Sequence, residues 1–443
     1  MRSASPAPSR ALLDGLRQAA LPFHGGAEEL TPLLEAIGDA RFVLLGEATH
    51  GTHEFYRTRA LLTQRLLAER GFDAVAVEAD WPDALRVNAY VRGEDAAVSP
   101  DAALSGFSRF PRWMWRNVEV RELLQWMRAH APHAGFYGLD LYSLHASIHA
   151  VIDYLEAHDP DAAERARARY ACFEQYGHDH HAYAEAQGYG LSASCEQAVV
   201  QQLRELQRRV PPAGDPDAHF HAEQNARLAL SAEAYARAMF AGRHASWNLR
   251  DTHMADTLDR LAEHLSRRRG RPARLVVWAH NSHLGDARAT ELGDQGELNL
   301  GQLVRQRHGR EAFSLGFTTW SGTVIAARSW DQPGQVRHVR PALPGSYESV
   351  FHQVGVPHFL LRMRDLGEAT AGALRERRLE RAIGVVYAPA TERWSHYFRA
   401  ELPAQFDAVM HFDESRALQP LDAEAGRALE DEEEVPETFP SGL

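Results

Sequence analysis

The chain has 443 residues and a formal net charge of −12, with 60 acidic and 48 basic residues. Every basic residue is an arginine, because the sequence contains no lysine. The lack of a lysine amine excludes Schiff-base catalysis, lysine-bound pyridoxal phosphate, the P-loop nucleotide site and the protein kinases. Eight acids and a single arginine lie in residues 421–443. The rest of the chain is therefore close to neutral and lacks the basic face that nucleic acids and anionic membranes require.

Length and apolar content predict a protein of more than one domain, since 44% of the residues are hydrophobic and the chain exceeds a typical single domain. No stretch approaches the roughly 20 apolar residues of a membrane span. The two cysteines, Cys172 and Cys195, are too few for a disulfide framework or a multi-cysteine zinc site. We expect them to be packed thiols in a reduced, cytoplasmic protein.

Short apolar runs alternate with helical stretches along the chain, which is typical of a sheet buried on both faces. The predicted fold class is therefore α/β, with a parallel or mixed sheet flanked by helices. Residues 53–70 have helical spacing, with Phe55, Leu62 and Leu66 on one face, and Gly71 is expected to end this helix. The predicted strands are residues 41–46, 73–78, 135–140, 274–279, 312–317, 323–327 and 382–387.

Residues 142–268 depart from this pattern, since they are rich in Ala, Glu, Arg and Gln and contain few β-branched residues. We predict that they form an all-helical subdomain, inserted into an α/β catalytic domain made of residues 27–141 and 269–421. Residues 1–26 are interpreted as an N-terminal extension, and residues 422–443 as an acidic, disordered tail.

Polar, titratable residues follow four of the predicted strands. Ligands of open α/β sheets bind beyond the carboxyl ends of the strands, so we expect these residues to meet at one edge. The residues are Glu47, His50 and His53 after the first strand, Glu78 and Asp80 after the second, Asp140 after the third, and His280 and His283 after the fourth.

The usual nucleophile motifs are absent from the sequence, which has no Gly-x-Ser-x-Gly elbow, no His-Glu-x-x-His and no glycine-rich phosphate loop. The remaining histidines and carboxylates have two interpretations as an enzyme. A histidine oriented by a carboxylate can activate water as a general base, with a second histidine or an arginine stabilising the oxyanion. Alternatively, a divalent metal such as zinc activates the water, with ligands from Glu47, His50, Glu78, His280 and His283. A third possibility is a non-catalytic protein that binds a saccharide or a nucleotide-sugar.

Several blocks of this sequence resemble the signature blocks of the erythromycin esterase family. They are Gly46-Glu47-Ala-Thr-His50-Gly-Thr-His53-Glu-Phe-Tyr-Arg57, Val77-Glu78-Ala-Asp80-Trp-Pro82 and Trp278-Ala-His280-Asn-Ser-His283-Leu-Gly-Asp286. Further blocks at 113–117, 137–142, 248–254, 299–304 and 391–397 agree, so the similarity covers roughly residues 27–422.

This resemblance implies a carboxylic ester hydrolase that opens a macrolide lactone by water attack, without a metal or other cofactor. Position by position, His50 matches the general base, Glu47 and Glu78 match the acids around it, and Arg59 matches an arginine on the next helix. His280 and His283 match a distal pair. Because Ala79-Asp80-Trp81-Pro82 is similar to the housekeeping branch of the family, the expected substrate is a small ester or lactone of unassigned identity.

Other residues near the predicted strand ends and the helical insertion are expected to bind the substrate. These are His53, Asp80, Trp115, Asn117, Asp140, Arg250 and His253, with Tyr347 and His352 as weaker candidates. The histidines at 178, 180 and 181, together with His219 and His221, are expected to lie on a solvated or cleft surface, because adjacent ligands cannot all point at one metal ion.

Overall fold

The computed structural model describes residues 7–94, 99–176, 183, 194–210 and 216–422. In these residues the strands are β1 (Leu21–Pro22), β2 (Phe42–Leu45), β3 (Ala74–Asp80), β4 (Gly135–Asp140), β5 (Leu275–Trp278), β6 (Ala312–Ala326), β7 (Gln335–Val339), β8 (His358–Arg362), β9 (Arg378–Arg381), β10 (Tyr397–Ala400) and β11 (Ala408–Ser415).

The α-helices of the same residues vary from one turn to seven. They are α1 (Arg10–Ala19), α2 (Thr31–Ile37), α3 (His53–Glu69), α4 (Trp81–Arg92), α5 (Pro100–Leu104), α6 (Val118–His130), α7 (Leu144–His158), α8 (Pro160–Tyr170), α9 (Glu196–Arg208), α10 (Pro216–Ala241), α11 (Arg243–Arg269), α12 (Asn281–Leu284), α13 (Glu291–Asp294), α14 (Leu300–His308), α15 (Tyr347–His352), α16 (Glu368–Leu374), α17 (Glu392–Ser395) and α18 (Leu402–Gln405).

The chain forms two compact units. The first contains residues 1–75, 89–135 and 274–443, and the second contains residues 76–88 and 136–273. Most of the strands belong to the first unit, and the longest helices belong to the second.

Strand β2 lies between β6 and β5 in the first unit, where the strands follow the order β1-β8-β11-β6-β2-β5 and β7 pairs with β6. It is parallel to both of its neighbours, with Leu45 opposite Trp278 of β5 and Leu315 of β6. Strand β11 is parallel to β6 and antiparallel to β8. The predicted mixed sheet flanked by helices is confirmed. Because β2 and β5 run in the same direction, the segments that follow them leave the sheet at one edge.

Helix α3 confirms the helix predicted after the first strand. It begins at His53 and ends at Glu69, and its buried face includes Phe55, Leu62 and Leu66. Gly71 has a φ of +63°, a left-handed conformation that glycine adopts without strain, so the chain turns away from the helix there.

The second unit combines strands β3 and β4, which are neighbours, with a set of long helices. A Cβ atom at Gly138 would lie 2.3 Å from the carbonyl oxygen of Ala79, so only glycine permits this approach of the two strands. The helical character predicted for 142–268 is confirmed for the residues of that segment that the structure describes, where helices α7 to α11 are found. No described helix combines the length and the apolarity needed to cross a membrane.

Of the three strand predictions near the C-terminus, the one at 382–387 is wrong, and the other two describe parts of a single strand. The runs at 312–317 and 323–327 both belong to β6, because the residues between them continue the ladder with β11 as far as Gly322. The run at 382–387 forms only isolated bridges, from Ile383 to Thr49 and from Val386 to Ala327. The strand next to it is β9, whose charged sequence Arg378-Leu-Glu-Arg381 gives no apolar signal although all four residues are buried.

The prediction of two packed thiols is also wrong, because Cys172 and Cys195 form a disulfide. The two residues are 23 positions apart, and their Cα atoms are 6.0 Å apart, within the range of protein disulfides. A pair of cysteines at this separation carries no pattern that distinguishes a bond from two thiols, since the pairing depends on how the helices meet.

Strand β9 places a carboxyl group in the interior of the first unit. Glu380 is fully buried. Burial and the neighbouring charge of Glu348 raise the pKa of Glu380 well above its ordinary value. Glu348 is equally buried, but one of its oxygens accepts a 2.8 Å hydrogen bond from the backbone N–H of Arg381. The neutral form of Glu380 is therefore favoured over a wide pH range.

Replacing Glu380 with Gln should stabilise the protein at alkaline pH. Folding raises the pKa of this group, so its contribution to stability is fully present below the ordinary carboxyl pKa and is lost as the pH rises. A glutamine is neutral at every pH and has the same shape, so Glu380→Gln should increase the free energy of unfolding by about 1–3 kcal/mol near pH 9. Urea denaturation measures this change.

The same substitution should have little effect near pH 4, where both side chains are neutral. Glu414→Gln is the matched control, because Glu414 is an exposed carboxylate of β11. If Glu380→Gln is no more stable than the parent protein near pH 9, the inference that the carboxyl group of Glu380 is neutral in the folded protein is wrong.

Candidate active site

The centre of the candidate site is a buried chain of three side chains in the first unit. The Nδ1 atom of His50 lies 2.9 Å from Oε1 of Glu47, and Nη2 of Arg59 donates a 2.6 Å hydrogen bond to Oε2 of Glu47. Each side chain is buried, with 8% of His50 and 1% of Glu47 and Arg59 exposed. Both carboxylate oxygens of Glu47 therefore have a partner, one from the segment after β2 and one from helix α3.

Arg59 also lies against two aromatic rings. Its guanidinium carbon lies 4.4 Å from the ring centroids of both Tyr56 and Trp278. Stacking of this kind stabilises a cation that is removed from water. Arg59 thus fixes Glu47 from inside the protein and presents no guanidinium surface to solvent.

The backbone after β2 is fixed by close contacts in which glycine is required. The backbone N–H of Asn281 donates a 2.7 Å hydrogen bond to the carbonyl oxygen of Glu47, which joins the segments after β5 and β2. A Cβ atom at Gly51 would lie 2.0 Å from the carbonyl oxygen of Ile325, and one at Gly46 would lie 2.2 Å from Oδ1 of Asn281. The hydroxyl of Tyr56 donates a 3.2 Å hydrogen bond to the carbonyl oxygen of His50.

His280 lies beside His50, as the meeting of the two strand ends predicts. Their ring centroids are 4.9 Å apart. Nδ1 of His280 accepts a 3.2 Å hydrogen bond from the backbone N–H of Ser282 and lies 2.8 Å from Oγ of the same residue. His283 lies on the one-turn helix α12 and is also buried.

A second histidine and carboxylate pair lies at the start of helix α3. Nδ1 of His53 is 2.6 Å from Oε1 of Glu119, a buried residue of helix α6. The side chain of His53 is 26% exposed, which makes it more accessible than His50. The sequence reasoning missed Glu119, because 66 residues separate it from His53 and no spacing connects them.

Glu78, Asp140 and Arg250 form a separate cluster in the second unit. Arg250 binds Asp140 through two hydrogen bonds of 2.9 and 2.6 Å and donates a third, of 2.8 Å, to Glu78. Burial alone would lower the pKa of Arg250, but the carboxylates of Asp140 and Glu78 more than offset it, and the pKa lies well above its ordinary value. This cluster joins the last residues of β3 and β4 to helix α11.

Two other predicted residues of the second unit are held in place by the fold. Oδ1 of Asp80 accepts hydrogen bonds of 2.7 and 3.0 Å from the backbone N–H groups of Tyr142 and Ser143. Nδ1 of His253 lies 2.9 Å from Oγ of Ser231, and burial lowers the pKa of His253 to about 4. His253 is therefore neutral at physiological pH and is not a proton donor there.

The remaining predicted binding residues are buried within their units. Asn117 caps helix α6 by accepting a hydrogen bond from the backbone of Val120, and its amide donates to the carbonyls of Trp113 and Met114. Trp115 is 5% exposed and packs 5.9 Å from Phe107 between ring centroids.

The weaker candidates also have structural contacts. The hydroxyl of Tyr347 contacts three backbone carbonyls at 2.9 to 3.2 Å, and His352 stacks on Trp320 at 3.7 Å. His219 lies 3.0 Å from the hydroxyl of Tyr154, and His221 packs near Trp81. The histidines at 178, 180 and 181 lie outside the described residues.

The donor set of the candidate site consists of histidines, a carboxylate and an arginine. Within the described residues, no three His, Cys, Asp or Glu side chains are placed to hold a metal ion together. The carboxylate that faces His50 is already bound to the guanidinium cation of Arg59. The imidazole rings of His50 and His280 lie in neighbouring positions.

Comparison with known proteins gives a consistent family. The model of the erythromycin esterase family matches residues 67–415. A protein of Escherichia coli, erythromycin esterase type II, is 22% identical over 417 residues, which cover 88% of this chain and 93% of that protein. A putative hydrolase of Bacillus subtilis (strain 168) is 23% identical over 321 residues, covering 67% and 69% of the two chains.

Solved structures share the fold. A succinoglycan biosynthesis protein has a TM-score of 0.76 at 21% identity, with 93% of this chain and 98% of that chain covered. A protein from Bacillus cereus has a TM-score of 0.77 at 20% identity, with coverages of 94% and 100%. An erythromycin esterase mutant in its open conformation has a TM-score of 0.66 at 16% identity, with coverages of 94% and 98%.

Removing the arginine of the second-unit cluster should destabilise the protein. Arg250→Gln leaves the carboxylates of Asp140 and Glu78 buried without their cation, and breaking such a pair costs about 3–5 kcal/mol of unfolding free energy. Chemical denaturation near neutral pH measures this loss.

The matched control is Arg267→Gln in the same helix. Arg267 forms an exposed pair with Glu263, with both side chains more than half exposed, and should lose no more than about 0.5 kcal/mol. Equal losses of unfolding free energy in the two variants would contradict the role of Arg250 as the cation that balances the buried carboxylates.

Proposed function

Because this chain belongs to the erythromycin esterase family, we propose that it hydrolyses a carboxylic ester or lactone by attack of a water molecule that His50 activates. The observation that carries the proposal is the contact of Nδ1 of His50 with the Glu47 carboxylate at 2.9 Å. A carboxylate in this position holds the proton of the neutral imidazole on Nδ1 and leaves the lone pair of Nε2 to accept a proton from water.

Glu47 has two roles in this proposal. It orients the imidazole before the reaction, and its negative charge stabilises the imidazolium that forms when His50 takes the proton. Arg59 acts through Glu47, since its guanidinium binds the second carboxylate oxygen at 2.6 Å and is only 1% exposed. Arg59 is therefore a positioning residue, and the oxyanion must be stabilised by another group.

His280 is the proposed donor to the oxyanion. Its Nδ1 atom accepts from the backbone of Ser282, which leaves Nε2 as an N–H donor next to His50. Attack of water on an ester carbonyl needs a base that takes a proton from the water and a donor that stabilises the negative charge on the carbonyl oxygen. A base on one ring and a donor on the neighbouring ring meet both needs. The tetrahedral intermediate then collapses by breaking its bond to the alkoxide, which takes the proton from His50, and no covalent bond to the enzyme is formed.

We propose that no metal takes part. The support is the pairing of Glu47 with Arg59, because a carboxylate that already binds a guanidinium at 2.6 Å is a poor ligand for a second cation. Hydrolysis by metal-activated water, and binding of a saccharide or nucleotide-sugar without turnover, are the alternatives. The substrate is a small molecule with a carboxylic ester bond.

His50→Ala should abolish ester hydrolysis. Loss of the general base is expected to lower kcat/KM for an activated ester such as p-nitrophenyl acetate by about 10²- to 10⁴-fold. Stopped or continuous spectrophotometry of p-nitrophenolate release measures the rate, and circular dichroism measures the fold. His130→Ala, at an exposed position at the end of helix α6, is the control and should keep full activity.

Undiminished turnover in His50→Ala would overturn the role of this histidine. A parent protein that binds lactones or saccharides in calorimetry but releases no product from a panel of esters, lactones and macrolides would support a binding function instead.

Exhaustive dialysis against a chelator should leave the activity unchanged. The expected result is the same kcat before and after dialysis, with less than stoichiometric metal by elemental analysis in protein purified without chelator. If dialysis removes one equivalent of metal and the activity returns only when zinc or another divalent ion is added back, the metal mechanism is correct.

A further inference from the structure

A cavity of about 680 Å³ opens on the first unit at the edge of the sheet opposite the candidate active site. It lies beside Ala40, Ala312 and Asp407, which precede or begin strands β2, β6 and β11, whereas Gly46 and the catalytic residues follow β2. The four residues of β2 span about 13 Å, so the cavity and the candidate active site lie at opposite ends of this strand.

Arginines dominate the charged residues of this cavity. Five arginines line it, against the two acids Glu401 and Asp407. This balance contrasts with the net charge of −12 of the whole chain. The arginines are Arg305, Arg310, Arg362, Arg364 and Arg375.

Some of these arginines are neutralised by acids of the fold. Arg305 binds Asp407 at 3.0 Å, and Asp407 also accepts a 2.8 Å hydrogen bond from the backbone of Ser314. Asp365 pairs with both Arg362 and Arg364, so one carboxylate serves two guanidinium groups. These contacts leave an excess of positive charge on the cavity wall.

Two arginines of the cavity wall have no acidic partner among the described residues. In the part of the chain that the structure describes, the guanidinium groups of Arg310 and Arg375 form no hydrogen bond and no ion pair, and both side chains are exposed. Arg310 follows helix α14 and Arg375 follows helix α16, so they come from separate segments of the wall. Their donors are available to a ligand.

The rest of the wall is apolar. Ile37, Phe313, Met363 and Phe406 line the cavity together with several alanines. A volume of 680 Å³ lies within the roughly 300–1,000 Å³ range of sites for small molecules and is too small for a macromolecule. The ligand should therefore have an apolar body and a multiply charged anionic group.

We propose that this cavity binds a phosphate monoester of a small organic molecule. A phosphate monoester carries close to two negative charges near neutral pH, and its oxygens match the planar, bidentate donors of arginine. The apolar wall contacts the organic part, while Arg310 and Arg375 bind the phosphate. The site is separate from the hydrolytic chemistry at the carboxyl ends of the strands.

Calorimetric titration with phenyl phosphate at low ionic strength tests this proposal. We expect a Kd below about 1 mM, weaker binding of inorganic phosphate and of benzoate, and a loss of affinity as salt is added. In the double variant Arg310→Gln/Arg375→Gln, the affinity should fall by at least about tenfold, since both charge-assisted contacts are removed. Both positions are exposed, so the variant should fold.

The control is Arg307→Gln, which changes an exposed arginine of helix α14 that does not line the cavity and should not change the affinity. The variant His50→Ala should bind phenyl phosphate as the parent does, because the two sites lie at opposite edges of the sheet. Absence of binding at millimolar phenyl phosphate, or equal affinity in the parent and the double variant, would overturn the site. Equal binding of benzoate would overturn the choice of phosphate.

Discussion

A carboxylate removed from water must have its charge balanced and its oxygens occupied, and Glu47 imposes this requirement on the centre of the first unit. Only 1% of its side chain is exposed. Arg59 supplies the opposite charge at one oxygen and His50 occupies the other. Arg59 in turn is removed from water and lies against Tyr56 and Trp278. The orientation of the proposed base is thus set by a chain of contacts that starts at an aromatic pair in the core.

The parallel pairing of β2 and β5 adds the second half of the site. Because Leu45 and Trp278 lie opposite each other, the segments that carry His50 and His280 leave the sheet together. The 2.7 Å hydrogen bond from the backbone of Asn281 to Glu47 fixes their register. These backbone contacts bring the two imidazoles to neighbouring positions, with their ring centroids 4.9 Å apart.

The sequence was sufficient to predict which side chains lie close together where they follow a strand directly. Glu47, His50 and His280 come within a few residues of buried apolar runs, and parallel strands bring such positions together. It was insufficient where partners meet through tertiary packing. The pairing of His53 with Glu119 depends on how helices α3 and α6 cross, and no local pattern encodes that contact. The sequence also did not indicate β9. This strand is buried but contains charged residues such as Arg381, so it lacks the apolar composition of a typical buried strand.

The bond between Cys172 and Cys195 makes the covalent connectivity of the second unit different from its linear sequence. The chain between these two residues is a closed ring in which both ends belong to the same unit. A single peptide bond cut inside the ring would leave one covalent molecule of unchanged mass apart from one added water. The two parts of such a nicked protein would migrate together in electrophoresis until a reductant opened the disulfide. Samples of this protein that look intact without a reductant can therefore already have been cleaved.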